Sequence, residues 1–172
     1  MQIVTGTTTL KAEVAEIAKG SFRDPLTSDY VSELLVLPPI AGMEEIRFDW
    51  EGLHRPAEDM PYSEIVKMRL EHSRSMGDKC LAVGIFYLED LERKGQYPLL
   101  DLGKSSYRAA AMYSNNSNRY IQGHIFSDLS ENFFPAVAQL SYNMMRRLGN
   151  PSPPERIIIL TRYGERIVLS RS

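Results

Sequence analysis

Residues 80–88 read Cys80-Leu81-Ala82-Val83-Gly84-Ile85-Phe86-Tyr87-Leu88. They are apolar at both parities, the pattern of a strand covered on both faces. Read as a strand, this run puts a sheet at the middle of the fold. Just before it, Tyr62, Ile65, Val66 and Leu70 form one side of a helical pattern, and Glu64, Lys67, Glu71 and Arg74 form the other. The charges alternate at spacings of three or four and support one another along a surface helix. Pro61 suits the first turn and Gly77 a C-terminal stop, so a helix over 62–76 is expected. After the run, Glu89–Gly95 reads as a charged connection.

Further toward the C-terminus, Tyr97–Leu102 reads as another strand. Tyr107–Tyr113 and Tyr120–Phe126 read as a hairpin around Ser114-Asn115-Asn116-Ser117-Asn118-Arg119, whose residues accept left-handed geometry. The helix formers Arg108-Ala109-Ala110-Ala111-Met112 offer a helix over 105–113 as the alternative. Leu129, Phe133, Val137, Leu140, Met144 and Leu148 then recur at helical spacing. With Asn132 as N-cap, Pro135 falls in the first turn, and the helix spans 133–148 with Gly149 past its end. No charged residue occurs from Asn132 to Met145, so this helix is expected to be buried nearly all round or to lie in an interface. The chain closes with a hairpin, Arg156–Arg162 against Glu165–Ser170, around Tyr163-Gly164.

Toward the N-terminus, Leu10, Val14, Ile17 and Ala18 indicate a helix over 10–19, after a short strand at 2–5 and N-cap hydroxyls from Thr7, Thr8 and Thr9. Tyr30–Leu37 reads as a strand leading into Pro38-Pro39. Ile46, Phe48 and Trp50 alternate with Arg47, Asp49 and Glu51, as in a strand with one wet face. Residues 52–61 read as a loop. These elements predict one α+β domain over 1–172: a mainly antiparallel sheet of five to seven strands, packed by two or three helices, with helix 133–148 at its centre.

The 172 residues suit one domain, and 43% apolar content suffices for a core. One cysteine forms no internal disulfide, and Cys80 within its apolar run reads as a small hydrophobe. The opening MQIVTGTTTL has no basic region before an apolar stretch, and no run reaches membrane-spanning length. A cytoplasmic protein without a transmembrane segment is expected. The sequon Asn115-Asn116-Ser117 reads as a polar turn.

Net charge is −2, but it is distributed unevenly. Residues 1–143 hold 14 basic and 20 acidic side chains, whereas 144–172 hold six arginines and two glutamates. Arginine forks suit phosphate or carboxylate. Arg146, Arg147, Arg156, Arg162 and Arg166 are therefore the candidate binding residues, with Arg171 beside them. The anionic partner would be nucleic acid, an acidic protein or a membrane surface. Internal or intersubunit pairing is the plainer role for the same arginines.

Catalytic motifs are sparse. Gly103-Lys104-Ser105 resembles the end of a phosphate loop in letters, but Pro98 stands where the earlier glycine is required. Glu92-Arg93-Lys94 matches a nuclease triplet only in a charged turn. The histidines at 54, 72 and 124 form no ligand pair, and neither metal nor cofactor is expected. Asp49, Glu51 and His54 share a polar region able to hold a divalent ion, and water on a strand face explains them as well. Tyr107-Arg108, Arg119-Tyr120 and Arg162-Tyr163 pair aromatic with basic side chains, as single-stranded nucleic acid binders do, but overall acidity argues against broad coating. His124, near Ser127 and Asp128, is the best single candidate for a catalytic or pH-sensitive group. Two functions are expected in order. The first is a non-enzymatic, self-associating (homo-oligomeric) binding protein that presents its Arg-rich C-terminal segment. The second is a small hydrolase-like or metal-assisted enzyme with a site near Asp49, Glu51, His54 and His124.

Overall fold

A computed structural model describes residues 12–47, 59–148, 153–161 and 163–171, excluding the side chains of Met145, Arg147 and Leu148. Those residues form six helices: α1 (12–19), α2 (Pro25–Val36), α3 (Tyr62–Arg93), α4 (Pro98–Asn116), α5 (Tyr120–Glu131) and α6 (Phe133–Leu148). They also form one small sheet of β1 (Glu45–Arg47), β2 (Arg156–Leu160) and β3 (Arg166–Ser170), in the order β1-β2-β3. The expected sheet of five to seven strands is therefore wrong: the protein is mostly helical. The proposed strand 2–5, the hydroxyls of Thr7–Thr9, and Phe48 and Trp50 of the alternating stretch lie outside the described residues. So does most of the loop 52–61.

The run 80–88 is not a strand. It continues α3, whose 32 residues pass through Gly77 without stopping. Val66, Leu70, Ser73, Gly77, Cys80, Gly84, Tyr87 and Leu91 are all buried, at alternating spacings of four and three. That is a helical face made largely of small residues. It lets α4 approach closely and run antiparallel to α3. A Cβ on Gly77 would lie 2.8 Å from the Tyr107 ring, and one on Gly84 would lie 2.8 Å from Leu100. From the other side, a Cβ on Gly103 of α4 would lie 2.7 Å from the Cys80 Cβ. Residues 80–88 are apolar all round because α4, α6 and the sheet enclose the second half of α3. Burial pushes the Cys80 thiol well above its usual pKa, so it is an inert hydrophobe.

Four further expectations change for local reasons. Residues 30–37 belong to α2, which starts at Asp24: its carboxylate accepts from the Leu26 amide at 2.8 Å, and Pro25 occupies the first turn. Pro38-Pro39 ends this helix rather than a strand. Tyr97–Leu102 opens α4 behind Pro98, and the helical alternative for 105–113 is the correct one. The supposed hairpin 107–113/120–126 is the α4–α5 helix pair. Its polar connection turns through left-handed Asn118 (φ 58°), and the Arg119 amide donates to the Ser114 carbonyl. Glu89–Arg93 is the last turn and a half of α3, not a connection.

Other expected elements are observed: the helix expected over 10–19 is α1, described from residue 12. The helix at 133–148 is α6, with Pro135 in its first turn and the Asn132 carbonyl accepting from Ala136. It does not occupy the centre, which belongs to α3. Phe133, Ala136, Val137, Leu140 and Met144 are buried, but Phe134, Ala138 and Tyr142 face outward. The C-terminal hairpin is also present, with Gly164 at φ 75° and the Thr161 amide donating to the Glu165 carbonyl. That pairing makes the connection one residue longer than a two-residue turn. No helix among the described residues is long and apolar enough to cross a membrane.

The α3–α4 contact yields a test. A methyl at Gly103 would meet Phe133 Cζ at 2.3 Å as well as Cys80. Alanine in a helix gains about 1 kcal/mol over glycine, whereas overpacking a core costs about 1–3 kcal/mol. Because the contact with the Phe133 ring is as short as 2.3 Å, the overpacking cost lies at the upper end of that range, and Gly103→Ala should lose about 2 kcal/mol in urea denaturation. Unchanged or increased stability would show that the two helices are not in close contact there.

Candidate functional site

The register of the hairpin decides where its arginines point. β2 and β3 are antiparallel, with Arg156 opposite Ser170, Ile158 opposite Val168 and Leu160 opposite Arg166. Opposed residues share a face. Ile157, Ile159 and Leu169 are buried against the helices, so Arg156, Ile158, Leu160, Arg166 and Val168 occupy the outer face. β1 pairs in parallel with β2, Arg47 beside Leu160 and Glu45 beside Ile158, while Ile46 joins the core. The outer face is then a half-exposed apolar strip of Ile158, Leu160 and Val168 bordered by Arg47, Arg156 and Arg166. Arg47 and Arg166 flank Leu160 two strand spacings apart, about 10 Å.

Arg47 is paired with Glu45 at 3.0 Å on this face. Among the described residues, Arg156 and Arg166 are exposed and take part in no salt bridge. The remaining candidates are dispersed. Arg146 is exposed in the last turn of α6, not on the sheet, and the Arg147 side chain and Arg162 lie outside the described residues. Arg171 lines a cleft of about 170 Å³ with Glu89 and Asp90.

The free edge of β3 is held by the end of α3. Beyond Tyr87, whose φ/ψ of −128°/23° kinks the helix, the Asp90 carboxylate accepts from the Ser170 amide at 2.9 Å and pairs with Arg93 and Lys94. Its side chain is 2% exposed. Burial opposes its charge, but these donors together hold its pKa below the usual carboxylate range. Lys94 also donates to the Val168 carbonyl, and the Tyr87 hydroxyl donates to the Pro154 carbonyl at 2.5 Å. These bonds fix the sheet on the bundle and cover an edge that would otherwise recruit another strand.

His124 lies on α5, not on a strand, and its Nε2 meets Asp24 Oδ2 at 2.5 Å. Asp24 is the residue that caps α2, so one carboxylate serves both helix and imidazole. No serine or cysteine hydrogen-bonds the other ring nitrogen among the described residues, so the third member of a nucleophilic triad is not assembled. Asp49, Glu51 and His54 lie outside the described residues. Among those described, no cluster of His, Cys, Asp or Glu has metal-binding geometry.

One constellation has no forerunner in the sequence reading. Asp78 on α3 accepts from the Tyr107 hydroxyl at 2.7 Å and from Tyr30 of α2 at 2.7 Å. Phe126 of α5 stacks on Tyr107 and meets Tyr30 edge-on. Burial raises the Asp78 pKa and the two phenols partly offset that, while burial first, and then the Asp78 charge, raises both phenols. A carboxylate that accepts from two phenols joins α2, α3 and α4. A separate groove of about 450 Å³ at the start of α3 is bordered by Tyr62, Lys67, Asn116 and Arg119, all exposed.

Comparison with protein-family models, curated proteins and solved structures finds no match to this chain.

The Asp24–His124 pair makes a pH prediction. The hydrogen bond and charge of Asp24 raise the pKa of His124 above its ordinary 6.5, and the same bond lowers that of Asp24 below 3.8. The histidine's contribution is complete below pH 6.5 and is lost as pH rises through its raised value. The aspartate's is complete above pH 3.8 and is lost as pH falls through its lowered value. An NMR titration should place the His124 midpoint above 6.5, and Asp24→Asn should return it toward 6.5. Identical midpoints in both proteins would refute the pairing.

Proposed function

We propose that this protein is a non-enzymatic binding module whose outer sheet face takes an acidic protein segment. The observation that carries the reading is the hairpin register, which sets Arg156 and Arg166 on one face around Ile158, Leu160 and Val168. Guanidinium groups bordering an apolar strip suit a partner that alternates carboxylates with apolar side chains, each arginine taking a carboxylate as a fork. A net charge of −2 and a sheet of three short strands among the described residues favour such a segment over nucleic acid or a broad membrane surface. The enzymatic alternative has less support, because His124 is engaged by a carboxylate but by no nucleophile among the described residues.

The test is fluorescence anisotropy with a labelled peptide of alternating Glu and Leu, beside a single-stranded oligonucleotide and anionic vesicles. The peptide should bind at low salt, weaken as salt rises, and be lost to Arg156→Glu/Arg166→Glu. Oligonucleotide or vesicle binding that exceeds peptide binding would replace the partner class. Equal peptide binding by wild type and variant would end the proposal.

A further inference from the structure

We propose that Glu45 selects the central side chain of the segment bound on the outer sheet face: toward the sheet, that segment reads acid, then Lys or Arg, then acid. The inference rests on the binding-module reading and adds an order of charges to it. The register divides the face into three rows across the strands. Arg156 and Ser170 form the first, Glu45, Ile158 and Val168 the second, and Arg47, Leu160 and Arg166 the third. Charge therefore runs positive, negative, positive along β2. Glu44, Glu155 and Glu165 share the parity of the inner side, so Glu45 is the one acidic residue on the outer face among the described residues. Neighbouring rows are two residues apart, about 6.5–7 Å. Same-side residues of any extended segment repeat at that distance, so three successive sheet-facing side chains laid along β2 meet the three rows in turn.

Each row has chemistry for one side chain. In the outer rows, Arg156 and Arg166 are exposed and enter no salt bridge among the described residues, so each takes a carboxylate. In the central row, Glu45 accepts from Arg47 Nε at 3.0 Å through Oε1, and its side chain is 41% exposed. A carboxylate accepts several hydrogen bonds on its two oxygens, so an incoming cation adds to the Arg47 contact without breaking it. An incoming carboxylate over Ile158 stands one strand spacing, about 5 Å, from Glu45 and is repelled. At the other end of this row Lys94 donates to the Val168 carbonyl, but Asp90 meets its charge at 3.1 Å. Ile158 and Val168 lie beneath the central side chain. The methylene stem of Lys or Arg packs on them while its charge reaches Glu45. Acid, base, acid is thus the order complementary to the face, and repulsion at the centre is what excludes a uniformly acidic segment.

Fluorescence anisotropy on the full chain at low salt tests this with two labelled peptides, Leu-Glu-Leu-Lys-Leu-Glu-Leu and the same peptide with Glu at its centre. Wild type should bind the central-Lys peptide about threefold more tightly, although it carries less negative charge. Glu45→Lys should reverse the preference by a similar factor, and Glu45→Gln should fall between. The change in the ratio, about tenfold from wild type to Glu45→Lys, is a double-mutant cycle from which the peptides' difference in net charge cancels. The same Lys-for-Glu exchange one residue along the peptide, facing away from the sheet, should show no reversal. Peptide binding that Arg156→Glu/Arg166→Glu removes, with one preference shared by wild type and both Glu45 variants, overturns the role of Glu45 and leaves the binding-module reading standing. A wild type that prefers the central Glu also overturns it. Binding of neither peptide to wild type overturns both. A reversal that follows the displaced Lys overturns the row-by-row arrangement.

Discussion

The close approach of α3 and α4 is the constraint on which the other elements depend. It exists because Gly77, Gly84 and Gly103 present no side chain where Tyr107, Leu100, Phe133 and Cys80 need room. Glycine within a helix costs about 1 kcal/mol relative to alanine, which three helical glycines multiply. The return is burial of large side chains: Tyr107, Phe133 and Leu81 are almost wholly enclosed. With the two helices in contact, Tyr107 reaches Asp78 and α2 is drawn in through Tyr30. Val137 of α6 meets the same helix at Gly84.

The sheet is secondary to this bundle and borrows its placement from α3. Three short strands bury only one face, and an isolated hairpin is marginal in water. Asp90, Lys94 and Tyr87 supply what the sheet lacks: a carboxylate for the Ser170 amide, an ammonium for the Val168 carbonyl, and a hydroxyl for the Pro154 carbonyl. All three lie at or beyond the kink. The inner side chains Ile157, Ile159 and Leu169 are thereby held against the core, and the register leaves Arg156 and Arg166 outward. The outer sheet face and the outer face of α6 follow from the same packing.

The parts of this arrangement legible in the sequence are those with complete local signals. Residues 133–148 carry both helical spacing and a tolerated proline, and the last hairpin has alternation with a glycine at its turn. The 80–88 run misleads because apolar residues at both parities fit a buried strand and a buried helix alike. The cue lay in the small residues. Ser73, Gly77, Cys80 and Gly84 continue the spacing of Val66 and Leu70 through to Leu91, but small side chains do not register as an apolar stripe. Likewise Asp24-Pro25 is a helix start that the β-branched character of 30–37 obscured. The shared face of Arg156 and Arg166 needed the register. The Asp24–His124 contact joins residues 100 positions apart, and the two tyrosines on Asp78 come from different helices. Local pattern specifies none of these.

The central claim is that residues 62–93 are helical on both sides of a kink at Tyr87, with Gly77 and Gly84 inside the first, longer part, and lie at the middle of the protein. Backbone 13C chemical shifts of the intact chain test it most directly. Helical shifts are expected from Val66 through Gly77 and Cys80 to Leu91, interrupted only near Tyr87, where the backbone departs from helical values. Strand-like shifts over Cys80–Leu88, or a break in helical shifts at Gly77, would contradict it.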